Sequence, residues 1–512
     1  MTSPFRKGLL GLAAATAAVA LALTGCSSGG TPYTSGAALP DAKQNLTFVP
    51  NYAVPSTDVT KNPLEMGTNQ VMSNVLQALV KLNDKSVPEP QLATSWDWTD
   101  PTTLVFKLRK NVKFSDGADF TATNVKNSFD RYIAQKQALA AALSVITSYE
   151  ADDSAGTFTV HTKAPTGTLV GILALVYIGE GAATDDAAWS KPVGTGAFVL
   201  SDYVPNDHVT LTRNKSYWGT KAKLKTVTFK LITDTNAKIT ALSNGQVQVL
   251  NDVTNDQIPT VKGMSNVTFT QRSGLTYYFL WFENQHKPLD DVRVRKAMWE
   301  ALDLPTIVKS LYGETASTMD SFCPSAAFGC LPAEGMPKYD PEDAKKLLAD
   351  AGYPNGFSTD VIFSTANSGL NDLATAFVSA WKSVGITVQP RAEDGTSWLA
   401  DFTALKWDMD LQPNQTITGD ADYTLNRLYS CAAKRLGYCN PDLDALMTKA
   451  QQATDAGERK DLYQKVVNIM AKDVPAIPLF QSTSNVAALK TVKGLKIPPS
   501  EFIDWSGVYL TN

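Results

Sequence analysis

Phe106-Lys107-Leu108-Arg109-Lys110-Asn111-Val112-Lys113-Phe114-Ser115-Asp116-Gly117 sets the reading of the chain. With Leu104 and Val105 before it, the first half has strand composition, and a period of two puts Phe106 and Leu108 on one face. Asp116-Gly117 then suits a tight turn after a strand. Working outward, Thr157 to His161, Val209 to Arg213 and Val227 to Leu231 read as further strands. Helices alternate with them and carry their own boundary chemistry. Asp340-Pro341-Glu342-Asp343 supplies an N-cap, a first-turn proline and two acids at the positive helix end, with Gly352 as the stop. Asn440-Pro441 opens another helix in the same way. Between Asp455 and Lys472, the residues Leu462, Val466, Ile469 and Met470 fall on one helical face. Strands and helices are interspersed throughout, so the expected class is mixed α/β in several lobes.

The N-terminus reads as an export segment. Arg6 and Lys7 precede Gly8 to Leu23, an uncharged run of about 16 residues, shorter than the roughly 20 needed to span a bilayer. Leu23-Thr24-Gly25-Cys26 is similar to a lipoprotein signal, in which Cys26 is lipidated after residues 1–25 are removed. The expected location is therefore extracytoplasmic, tethered to the membrane by the N-terminal lipid. Residues 26–44, rich in Ser, Gly, Thr and Pro, are expected to form a flexible spacer. After the leader the longest apolar run is Gly171 to Ile178, which reads as a buried strand or helix. Loss of Arg6 and Lys7 moves the formal charge from −4 to −6, which argues against a nucleic-acid partner. At 512 residues the chain exceeds one core and suggests about three domains.

Cys323, Cys330, Cys431 and Cys439 remain after Cys26, an even number for an oxidising compartment. Local pairs would close two short loops, and pairing across the loops is the competing connectivity. Zinc is not expected, because neither pair has C-x-x-C spacing and the histidines are His161, His208 and His286 alone. No G-x-S-x-G, H-E-x-x-H or phosphate-cradling glycine loop is present, so neither an enzyme nor a cofactor is expected. Aromatic residues beside polar segments are more informative. Tyr277-Tyr278-Phe279-Leu280-Trp281-Phe282 runs into Glu283-Asn284, and Trp398 and Trp407 precede Asp420. Such rings form either the walls of a site for a medium-sized ligand or ordinary core.

Several further blocks, taken in order, give a resemblance. They include Pro90-Gln91-Leu92-Ala93-Thr94-Ser95-Trp96, Val193-Gly194-Thr195-Gly196-Ala197-Phe198 and Arg213-Asn214-Lys215-Ser216-Tyr217-Trp218. They continue with Pro288-Leu289-Asp290-Asp291-Val292-Arg293-Val294-Arg295-Lys296-Ala297, the Tyr339 to Tyr353 segment, and Gly437-Tyr438-Cys439-Asn440-Pro441-Asp442-Leu443-Asp444. Together with the opening stretch, they resemble the solute-binding proteins of ABC importers, family 5, the peptide/nickel-binding type. The resemblance implies a two-lobe periplasmic-binding-protein-like fold of type II, in its large three-subdomain form. Lobe I would be residues 45–71, 190–275 and 487–512, with 72–189 as an inserted subdomain. Lobe II would be 276–486, hinged near Ser273 and Ser484 and closing over ligand.

The expected partners are a small solute, a peptide by preference, and the importer's permease subunits, with the protein itself a monomer. Thr418-Gly419-Asp420 resembles the family element whose acid pairs with a peptide ammonium, so Asp420 is expected there, or Asp422 if the match slips by two. An arginine for the peptide carboxylate is missing from Phe363 to Ser368, leaving Arg391 and Arg427 as substitutes. Trp398, Trp407, Tyr278 and Trp281 are the expected ligand-facing rings, and Trp281, Trp398 or Trp407 would stack on sugar faces if the cargo were an oligosaccharide. A nickel chelate would be a further class of cargo, and an accessory lipoprotein acting without a solute would use the same fold.

Overall fold

A computed structural model describes residues 36–367 and 369–512. The export segment and the proposed lipidation residue Cys26 lie outside the described residues. The expected strands appear as Thr103–Leu108, Thr157–Thr162, His208–Arg213 and Thr226–Lys230, with Phe106 and Leu108 both buried. Pro341–Asp350 is a helix whose N-cap Asp340 accepts from the Asp343 N–H, and Pro441–Gln452 is capped likewise by Asn440. In the helix Ala456–Asp473 the Leu462, Val466 and Met470 side chains are buried. The run from Gly171 to Ile178 is buried from Leu173 onward and half-buried before it, split between short helical turns and the strand Tyr177–Ile178.

One eleven-stranded sheet links both lobes. On the lobe I side, Asn45–Val49 runs parallel to Thr226–Lys230 and to Val249–Leu250. On the lobe II side, Met409–Gln415 and Thr387–Glu393 flank Ser358–Ser364 in parallel. Two long antiparallel strands, Val267–Phe282 and Ala476–Leu489, run through both halves. Their ladder pairs Ser273 with Thr483, then breaks before Tyr277. The interruption lies next to Ser273, while Arg272 still pairs with Ser484. A ladder without its middle hydrogen bonds bends more readily than an unbroken one.

Residues 72–189 contribute a separate four-stranded sheet, ordered Ala93–Asp100, Thr103–Leu108, Thr157–Thr162, Ile146–Asp152. The helix Ala122–Ala134 covers it, with Phe129 packed 4.8 Å from Phe158 between ring centroids. This subdomain shares one hydrophobic core with Leu46, Phe48 and Trp505 of lobe I. Lobe II has its own core around Phe279, Trp281, Trp381 and Tyr463, and a third cluster gathers Leu242, Val247 and Val261. The spacer expected through residue 44 ends earlier. Ala38 bridges to Thr511 and the Leu39 N–H donates to the Leu510 carbonyl at 2.8 Å, so the backbone is fixed to the C-terminal strand from there on.

Candidate functional site

Parallel strands expose their carboxyl ends along one edge, and in open α/β sheets ligands collect beyond that edge. Asn51 follows Asn45–Val49, and Asn251 follows Val249–Leu250, so both amides stand at this edge of lobe I. Asn51 Nδ2 donates to Glu501 Oε2 at 2.9 Å, and Asn251 Nδ2 reaches the same oxygen at 3.3 Å. Ser484, on one of the two long crossing strands, donates to Asn251 Oδ1 at 3.3 Å. Gln70 Nε2 donates to Asn51 Oδ1 at 3.2 Å. Tyr52 stands among Glu501, Asp252, Tyr278 and Glu65, and burial first, then their charge, holds its hydroxyl far above the usual phenol range. Across the crossover, Tyr278 stacks on Phe480 at 4.4 Å, and Tyr312 packs on the same ring. The result is a polar floor from lobe I with an aromatic wall from lobe II.

The lobes also touch away from the crossing strands. The Gly167 N–H donates to the Gln451 carbonyl at 2.7 Å, and Ser86 Oγ donates to the Ala326 carbonyl at 3.0 Å. Ile417 and Tyr423 of lobe II pack into the lobe I core. The structure is therefore that of lobes in contact.

Of the expected rings, Tyr278 alone stands at this floor. Trp281 and Trp407 are 1 % and 2 % exposed and belong to the lobe II core, where Trp281 Nε1 donates to Tyr429 and Trp407 Nε1 to the Phe402 carbonyl. Trp398 is half-buried, stacks on Phe402 at 5.2 Å and donates to Asp410. Trp281, Trp398 and Trp407 each stack on Phe402, and burial leaves neither Trp281 nor Trp407 a face for a ligand. Their sequence spacing matched a site wall because aromatic core and aromatic wall share one composition.

Asp420 also departs from expectation as a free acceptor. It caps the helix Ala421–Tyr429, and Arg459 Nη2 contacts both carboxylate oxygens at 2.8 Å. Phe328, inside the Cys323–Cys330 loop, covers that guanidinium at 4.9 Å and exchanges backbone hydrogen bonds with Gly419 and Ala421. A ligand ammonium at Asp420 would have to share the carboxylate with a nearly buried arginine. Asp422 has no ion pair among the described residues; burial, then the charge of Asp420, pushes its carboxyl up to about 7, against the pull of Arg459. Arg391 is spent on Asp360, Glu393 and Asp401. Arg427 donates to Asn414 Oδ1 at 3.0 Å and lies over the Tyr423 ring. Half-buried Arg435, in the loop closed by Cys431–Cys439, feels the charge of Arg427; burial and that repulsion pull its pKa down. Arg435 and Glu501 were missed in the sequence, where neither sits in a recognisable pattern.

No group of three or more His, Cys, Asp or Glu side chains with metal-holding geometry occurs among the described residues. None of the described helices is long and apolar enough to cross a membrane. Two α/β lobes joined by crossing strands over a polar floor define a solute-binding protein of the bilobed class. The chain belongs to family 5 of the bacterial extracellular solute-binding proteins, whose middle-region model matches residues 87–435. It is 28% identical over 461 residues to a dipeptide-binding protein of Escherichia coli (strain K12), covering 80% of this chain and 84% of that one. It is 26% identical over 516 residues to heme-binding protein A of Haemophilus influenzae, covering 91% of both. The fold superposes on an ABC transporter-associated periplasmic binding protein of Helicobacter pylori in complex with the peptide STSA. That match has a TM-score of 0.73 and 25% identity, and covers 91% of this chain and 98% of the other.

Proposed function

We propose that this chain is the extracytoplasmic receptor of an ABC importer, capturing an oligopeptide or similar solute between its lobes and passing it to the permease unaltered. The observation that carries this reading is the polar floor at the strand ends, placed where the two lobes cross and beside the Tyr278–Phe480 wall. The dipeptide-binding and STSA-bound relatives support a peptide. Peptide backbones can be held by hydrogen bonds largely independent of sequence, with side chains in tolerant, wet pockets. Affinity must stay moderate for release to the permease, and micromolar binding corresponds to about −8 kcal/mol.

In this reading Cys26 carries the lipid that tethers a monomeric receptor to the membrane, and no bond of the cargo is made or broken. Of the two acids expected to meet the cargo, Asp420 is paired with Arg459 and Asp422 has no ion pair among the described residues. An oligosaccharide is the weaker alternative, because two of the three tryptophans it would use are core. A thermal-shift screen of di- to pentapeptides against maltose- and cello-oligosaccharides tests the choice. Stabilisation by peptides is expected, and stabilisation by sugars alone would overturn it. Mass spectrometry of solute released from protein purified from its host should show an intact peptide.

A further inference from the structure

Glu501 is an acid that the fold takes trouble to place and gives no cation among the described residues. Its backbone is left-handed, with φ 63°, a conformation an ordinary side chain adopts only when its surroundings impose it. One carboxylate oxygen, Oε2, is fixed by Asn51 and Asn251, residues from the ends of two parallel strands. The other, Oε1, has no hydrogen-bond partner among the described residues, and it lies 3.8 Å from where a Cβ on Gly274 would stand. Gly274 belongs to the interrupted stretch of the crossing strand, so this oxygen looks onto the junction between the lobes.

A second, independent feature sits beside it. Gln70 is 2 % exposed, and its Nε2 faces Asn51 Oδ1 and, at 3.5 Å, the Glu501 carbonyl, while its Oε1 has no partner among the described residues. A buried acceptor left unpaired costs about 1–3 kcal/mol. Asp252 adds negative charge, reaching Lys238 only at 3.9 Å. Burial and that charge hold the Glu501 carboxyl above the usual range, against the two asparagine hydrogen bonds.

We propose that Glu501, held in place by Asn51, Asn251 and Gln70, is the anchor for a cationic group of the cargo, a primary ammonium if the cargo is a peptide. A cation here would neutralise the acid at the oxygen that the asparagines leave unbonded. It would also fill the junction against which lobe II closes. This assigns to lobe I the charge recognition that the Arg459 pair withholds from Asp420. The proposed peptide cargo supplies only the identity of the cation.

The variant Glu501→Gln keeps the shape and removes the charge. Titrating wild type and variant, by thermal shift and calorimetry, with trialanine, N-acetyl-trialanine (carboxylate free), spermidine and cellotriose separates the anchor from the peptide. Tighter binding of trialanine than of its acetylated form, with at least a tenfold loss in Glu501→Gln, is expected. At pH 7 the unliganded variant should melt no lower than wild type, since the folded protein holds this acid uncompensated; a merely structural role would lower it. Equal binding of both trialanine forms, undiminished in the variant, would overturn the anchor and leave the peptide cargo standing. Binding of spermidine alone, lost in the variant, would uphold the anchor and sink the peptide cargo. Binding of cellotriose alone, or of no probe, would overturn both.

Discussion

A carboxylate is defined by what it already holds. Asp420 stands where family resemblance puts a ligand acid, yet Arg459 spans both its oxygens and Phe328 roofs the pair. Removing one partner of a buried ion pair leaves the other charge stranded, which costs about 3–5 kcal/mol. Asp420→Ala is therefore expected to lower the unfolding free energy in urea by that amount before any binding is measured, and an unchanged midpoint would show that the pair holds nothing. Asp410 gives a different signature. It is fully buried, accepts from Trp398 and Gln412, meets no cation among the described residues, and burial pushes its carboxyl up to about 7. Because the folded state holds this proton more tightly than the unfolded chain, Asp410 contributes stability below about pH 4 that is lost as pH rises towards 7. The full shift corresponds to about 4 kcal/mol as an upper bound. Asp410→Asn, which keeps an acceptor for Trp398, should flatten this slope between pH 4 and 7 relative to wild type; parallel curves would contradict the assignment. None of these partners is legible in sequence. Arg459 is 39 positions from Asp420, and no spacing rule joins them.

Elements were far more legible than partners, for a local reason. Asp340, Asn440 and Asp455 cap their helices through bonds to N–H groups within three residues, so the signal and the structure it makes lie side by side. The aromatic run 277–282 shows the limit. It is a strand, but which of its rings meets a ligand depends on what packs from Phe402, Tyr429 and Phe480, all far along the chain. The contact between lobes is likewise tertiary and can be tested at single elements. A Cβ on Gly167 would stand 1.8 Å from the Ala453 carbonyl oxygen across the lobe boundary. Gly167→Ala should therefore oppose the closed arrangement, weakening peptide binding at least tenfold while leaving the unliganded melting temperature within a degree or two. Equal affinity would mean that this contact is not part of the bound state. Gly419, at φ 66°, would place its Cβ 2.8 Å from Ser86 and should behave alike, with added backbone strain.

At the scale of the molecule, one sheet continues through both lobes, and it is linked across the middle by the strands that break register between Ser273 and Tyr277. Each lobe carries its own main hydrophobic core, and Ile417 and Tyr423 of lobe II enter that of lobe I, so the lobes can move as bodies at the cost of withdrawing those two side chains. The interspersed strands and helices announced such a mixed architecture, and the ordered blocks announced its family. The floor was hidden because Asn51, Gln70, Asn251 and Glu501 converge from segments up to 450 positions apart. Small-angle scattering of the protein, free and then saturated with a peptide that raises its melting temperature, reads most directly whether these bodies shut on cargo. A smaller radius of gyration with ligand is expected for wild type, and a lesser contraction for Gly167→Ala. Superimposable curves with and without bound peptide would contradict closure as the means of capture.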